Sequence, residues 1–168
     1  MDVSIIIPKK LVEEIARRGL DLEEIVLNSL IEKLRLDPAT STEVRLELAR
    51  RYFREGAELV DKDPVQASEK LYKATEKCVK ALAIYFNLDN VLREVEKKGR
   101  WTVTELEKAV EAISDKIDKW FTASWDSAWA LHVWGFHEAK LDGEAVKRRL
   151  PYIEKMLEEA EKIVSQTK

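Results

Sequence analysis

A chain of 168 residues, 45% hydrophobic and 36% charged, carries enough apolar material to bury a core, which excludes a disordered tail. Its net charge of −3 gives no overall attraction to polyanions, so nucleic-acid binding would need a local basic patch. The single cysteine, Cys78, excludes an internal disulfide and is expected as a small buried apolar group, and no apolar run approaches the length of a bilayer span. No signal peptide is read ahead of the first helix, so the expected location is the cytoplasm. Glu and Lys are abundant while Gln, Asn, Cys and Met are few, a balance that leans toward heat adaptation.

Residues 3–7 form a short β-branched run closed by Pro8, the one stretch that reads as a strand. Residues 9–18 then read as a helix with Leu11, Val12 and Ile15 on one side and Gly19 as its stop. Asp21 is placed to cap a second helix, in which Ile25, Leu30, Ile31 and Leu34 recur at helical spacing. Asp37, Pro38, Ala39 and Thr40 interrupt it. They mark the boundary between a strand–helix–helix element, residues 1–38, and a helical remainder, residues 39–168.

Thr40 and Glu43 have capping-box spacing, so the next helix is expected to start there. It would carry Leu48, Tyr52, Leu59 and Val60 inward, with Gly56 admitting a close neighbour. Asp63 followed by Pro64 restarts a helix that runs to about Phe86, with Leu71, Thr75, Cys78, Leu82 and Tyr85 along one stripe. Lys70, Lys73, Lys77 and Lys80 form a second stripe. Glu69 and Glu76 interleave with it, the pattern of a solvated face. Arg50, Arg51 and Arg54, and later Lys147, Arg148 and Arg149, are further basic clusters. Val91, Leu92 and Val95 mark a short helix ended near Gly99. Thr102 and Glu105 repeat the capping box ahead of Leu106, Ala109, Val110, Ile113 and Ile117. A helical stretch from Trp120 through Trp134 is expected to end at Gly135. The last helix begins near Asp142 and runs to about Val164, with Pro151 kinking it.

Residues 120–138, WFTASWDSAWALHVWGFHE, hold four of the five tryptophans and both histidines. Phe121, Trp125 and Trp129 stand four apart, and His132 falls on the same stripe. Trp125 and Trp129 most simply fill a core. Trp134 points elsewhere, and an aromatic surface can also line an interface or stack a nucleobase. Asp126 could orient His132 as an acid–base pair, but a spacing of six puts the two more than about 100° apart around a helix. A satisfied core histidine is the simpler reading. His137 lies past Gly135, where a turn could aim it back at His132, with Glu138 beside them as a third ligand. A helical zinc pair needs histidines four apart rather than five, so no metal is expected. His137 or Glu138 capping the helix ends beside Gly135 explains the same residues. No Gly-rich phosphate loop, Ser/His/Asp set or paired-Cys motif occurs. The candidate binding residues are Trp125, Asp126, Trp129, His132, His137 and Glu138, with no catalytic residue and no cofactor assigned.

Residues 1 to about 36, in the order strand, helix, helix, resemble a ribbon-helix-helix unit, which dimerises because a lone strand needs a second copy to complete its hydrogen bonds. In that fold alternate strand residues enter the DNA groove. Here Val3, Ile5 and Ile7 would face the core, leaving Asp2, Ser4 and Ile6 outward, and an acid and an aliphatic read phosphates and bases poorly. The resemblance implies a homodimer more than a DNA reader; the plainer alternative is that the strand pairs with nothing and drapes over the bundle.

Residues from about 40 to 165 resemble a HEPN-type helical bundle, and within that fold the archaeal PaREP-type family. The resemblance rests on AxxKLYKATEKCVKALA at residues 67–83 and WxxAWALHVWGFHE at residues 125–138. It implies an all-α antiparallel helical bundle behind the short N-terminal strand-helix-helix element. Ribonucleases of HEPN type carry an Arg four to six residues before a His on one helix, the Arg stabilising phosphate charge and the His moving protons. Upstream of His132 stand Trp125, Asp126 and Ser127, and upstream of His137 stand Ala130, Leu131 and His132, with no arginine among them. The expected function is therefore a non-catalytic interaction or nucleotide- or nucleic-acid-binding protein. It would act with a protein, nucleotide or RNA partner, in a larger assembly or a toxin–antitoxin-like pair, and not at a membrane. The alternatives are a ribonuclease using His132 or His137 with Arg54 or Arg100 brought from elsewhere, and a DNA-binding regulator acting through residues 1–38.

Overall fold

A computed structural model describes residues 3–166, and all regular structure in them is helical. No helix among them is long and apolar enough to cross a membrane. The chain divides into two compact units, Met1–Asp37 and Pro38–Lys168.

The first unit holds α1 (Lys9–Arg17) and α2 (Leu22–Leu34). Gly19, at φ 66°, takes the left-handed turn that ends α1, and the Leu20 N–H closes on the Ile15 carbonyl at 3.1 Å. Asp21 caps α2 by accepting from the Glu24 N–H at 3.1 Å. The strand expected at residues 3–7 is not formed. A strand is held by a neighbour that completes its ladder, and the described residues contain no second strand to do so. Val3, Ile5 and Ile6 are exposed there, Ile6 at 97%. Asp2, read as part of the outward face, lies outside the described residues. The apolar spacing of α2 also closes no core of its own: Leu30 and Leu34 are exposed, and Leu27 is the residue that becomes buried.

The second unit begins with a hairpin of α3 (Pro38–Leu59) and α4 (Pro64–Tyr85). Asp63 caps α4 through the Gln66 N–H at 3.0 Å, and Pro64 sits in the first turn, where its missing N–H is not needed. Glu55 bonds Lys70 at 2.5 Å, and a Cβ on Gly56 would stand 2.8 Å from Leu71 Cγ, so the two backbones run antiparallel in close contact. Then come α5 (Asp89–Lys98), α6 (Val103–Lys116), α7 (Trp120–Ala130), a π-helical segment (Leu131–His137), α8 (Gly143–Lys147) and α9 (Leu150–Ser165). Thirteen of the 22 residues of α4 are buried, which makes it the central helix. Around it pack Leu106, Val110 and Ile113 of α6, Phe121 and Trp125 of α7, and Ile153, Met156 and Leu157 of α9. Cys78 is buried in this core, and burial pushes its thiol up to about 12, away from reactivity.

Four local expectations change. Helix α3 starts at Pro38, so Thr40 lies inside it and is not its cap, and the inward residues are Leu46, Ala49 and Gly56 while Leu48, Tyr52 and Leu59 are half-buried. The lysine stripe is not a solvated face. Lys77 and Lys80 are buried, their stems covering apolar surface, and the Lys80 ammonium is met by Glu76 at 2.6 Å and by the Trp101 ring. The last helix is two helices, with Pro151 in the first turn of α9 instead of kinking a continuous one. Gly135 does not end α7, as described below.

Candidate functional site

Past Ala130 the helix widens instead of stopping. The Glu138 N–H bonds the Val133 carbonyl at 2.9 Å, a link across five residues that defines the π-helix Leu131–His137. Gly135 lies inside this segment because α4 leaves no room for a side chain. A Cβ there would be 2.2 Å from Ser68 Oγ and 2.6 Å from Ser68 Cβ. Ser68 cannot swing away cheaply, since it is buried and its hydroxyl donates to the Pro64 carbonyl at 2.7 Å.

The wider turn changes which residues share a face. On an α-helix, positions five apart point about 140° away from each other. With bonds spanning five residues they come one above the other. His137 Nε2 accordingly lies 3.2 Å from His132 Nε2, with the ring planes 82° apart.

His132 is held from behind. Its Nδ1 is 3.0 Å from Glu69 Oε2, and an ionised carboxylate only accepts, so Nδ1 donates and in the neutral ring Nε2 carries the lone pair. The imidazole stacks on Tyr72, centroids 4.0 Å apart and planes 24° apart, and tilts against Trp129 at 5.3 Å. Tyr72 also meets Trp125 at 5.9 Å, and Trp125 stacks on Trp129 at 6.2 Å. Trp125 is fully buried, and its indole N–H donates to Glu107 Oε1 at 2.6 Å. Burial, then the nearby carboxylates of Glu76 and Glu69, raise the Tyr72 phenol and keep it protonated.

Of the six residues singled out in the sequence, Trp125, Trp129, His132 and His137 come together in this cluster. Asp126 and Glu138 are exposed, and Glu69 takes the orienting role considered for Asp126. Sequence reasoning missed Glu69 and Tyr72, which stand three apart on α4 and so share a face. It also missed Phe136, stacked 6.4 Å from His132. The charged group bonded to His132 is a carboxylate, which repels phosphate. Among the described residues no group of three or more His, Cys, Asp or Glu side chains is assembled to hold a metal. A hollow of about 300 Å³ lies elsewhere, between α3 and α9, lined by Leu46 and Val164 and by Arg50, Arg54 and Glu161.

A crystal structure of a Sulfolobus solfataricus protein, the structural-genomics target SsR10, is similar to this chain at 38% identity and a TM-score of 0.63, covering 67% of this chain and 93% of that one. The solution structure of the same target gives 39% identity and a TM-score of 0.59, covering 67% and 87%. No curated protein matches the chain. The model of the archaeal PaREP1/PaREP8 family matches residues 44–157, a span that contains α4, the π-helix and both histidines. The chain belongs to the archaeal PaREP1/PaREP8 family.

Proposed function

We propose that the protein is a non-catalytic interaction protein built on a HEPN-like antiparallel bundle, and that it works as a homodimer joined through the Met1–Asp37 unit. The observation that carries this reading is the apolar surface of that unit. Val3, Ile5, Ile6, Leu11, Val12, Leu30 and Leu34 are all exposed, while Leu27 is its buried residue. A unit of this size lies below the roughly 40 residues at which a core alone suffices, and association is a common remedy. A second copy fits because Val3, Ile5, Ile6 and Ile7 are β-branched and have no ladder partner among the described residues. Two such segments laid antiparallel complete each other, as the ribbon-helix-helix resemblance implies. Ile6, on the outward side of that pair, gives DNA no donor or acceptor. The bundle then serves as the body that meets a further protein or nucleotide partner.

This reading assigns no nuclease role, because the charged side chain bonded to His132 is the Glu69 carboxylate, which repels a phosphate. Light scattering on the intact chain is expected to give twice the 19.4 kDa of one copy. Ile5→Asp, on the inward side of the strand pair, is expected to give single chains and Ile6→Asp to leave the dimer. A single-chain mass for the unaltered protein sinks the dimer. RNA cleavage that disappears in both His132→Ala and His137→Ala sinks the non-catalytic assignment.

A further inference from the structure

We infer that His132 and His137 together bind a divalent transition-metal ion of the zinc, nickel or copper class, a site that stands whether or not the chain dimerises. The sequence argued against a metal because five residues separate the histidines, a spacing that diverges on an α-helix. The π-helix removes that objection by bringing the two Nε2 atoms to 3.2 Å. Two nitrogens each bonded at about 2.0–2.1 Å to a tetrahedral ion stand about 3.3 Å apart. The pair already has that separation.

The tautomer is also set. With Nδ1–H donated to Glu69, His132 presents its Nε2 lone pair, the arrangement in which a carboxylate behind a histidine orients the ligand and raises its basicity. Stacking on Tyr72 fixes the plane of the ring. For both Nε2 atoms to bind an ion, His137 takes the tautomer with its proton on Nδ1, so that each neutral imidazole gives one lone pair. His137 is exposed, which leaves an entry path from solvent, and solvent water would supply the remaining ligands. Imidazole donors suit zinc, nickel and copper(II), and they exclude the oxygen-seeking magnesium and calcium ions.

The test is a calorimetric titration of the full chain with zinc chloride, paralleled by quenching of tryptophan fluorescence with nickel, since Trp129 lies 5.3 Å from His132. Saturation at one ion per chain is expected. His137→Ala removes an exposed ligand and leaves the circular dichroism spectrum unchanged, yet it should weaken zinc at least about tenfold. Glu69→Gln keeps both imidazoles and should weaken zinc about 10–100-fold by loosening the orientation of His132. No saturable binding up to millimolar zinc, or equal affinity in the unaltered chain and His137→Ala, overturns the site.

Discussion

The two units of the chain use the same vocabulary and arrive at different states. Each has well-formed helix signals: Asp21 caps α2 at 3.1 Å and Asp63 caps α4 at 3.0 Å. Each spaces Leu, Ile and Val along helix faces. Only Pro38–Lys168 brings those faces together, with Leu71, Phe121, Trp125, Ile153 and Leu157 fully buried, whereas Met1–Asp37 buries Leu27 alone of its described large apolar side chains. Local signals therefore decide where helices begin and end, and the amount of chain available decides whether a core closes over them.

The sharpest way to break that comparison is to delete a large side chain in each unit. Trp125→Ala empties a fully buried position and strands the Glu107 carboxylate that its indole bonds, so a loss of about 3–5 kcal/mol is expected in denaturant unfolding. Leu34→Ala, at an exposed position of α2, is expected to move the same transition by less than about 0.5 kcal/mol. Equal losses would mean that Leu34 shares the bundle's core.

The next effect is electrostatic and belongs to the larger unit. Glu105 is buried at the start of α6, where it accepts from Lys98 at 2.5 Å and from the Thr102 backbone N–H at 3.2 Å. The Lys98 ammonium first, then Thr102, holds its carboxyl down to about 2, below its ordinary value of 4.5. A folded-state pKa below the unfolded one stabilises fully above the unfolded value, and the benefit fades as pH falls through the folded value. Glu105→Gln should therefore lower stability by about 1.5–3 kcal/mol at neutral pH. The gap between variant and parent should narrow from pH 4.5 toward pH 2. A gap of constant size across that range would show that Glu105 acts by shape alone.

Most of this fold was legible because its signals are local. Asp63–Pro64, the Thr102–Glu105 box and the stops at Gly19 and Gly99 each act within a few residues, and all appear where the spacing puts them. The residues of the ring cluster were half legible. Phe121, Trp125, Trp129 and His132 announce a stripe, but Glu69 and Tyr72 reach it from 63 residues away in one case, and no spacing within α7 reports that. Gly135 was misread for a related reason. A glycine beside a helix end looks like a stop, and only the approach of Ser68 reveals that it is there to let two backbones touch. Lys77 and Lys80 were misread because Glu76, the partner of Lys80, would equally flank a wet face; burial, set by other helices, decides between the two. The strand at residues 3–7 has the composition of one and lacks a partner, which is a property of pairing and not of sequence.

The smallest effect is also the most direct test of whether the units differ in kind. Asp21 and Asp63 make the same bond to the third residue of their helices, so the local loss on removing either is about 0.5–2 kcal/mol. Asp63→Ala should lower the cooperative thermal transition, because α4 is the helix on which the core is built. Asp21→Ala should leave that transition in place and instead reduce helical amplitude before it, because α2 frays without a core of its own to hold it. If Asp21→Ala shifts the main transition as far as Asp63→Ala does, the first unit unfolds together with the bundle, and its exposed apolar face must then be explained within that single cooperative unit.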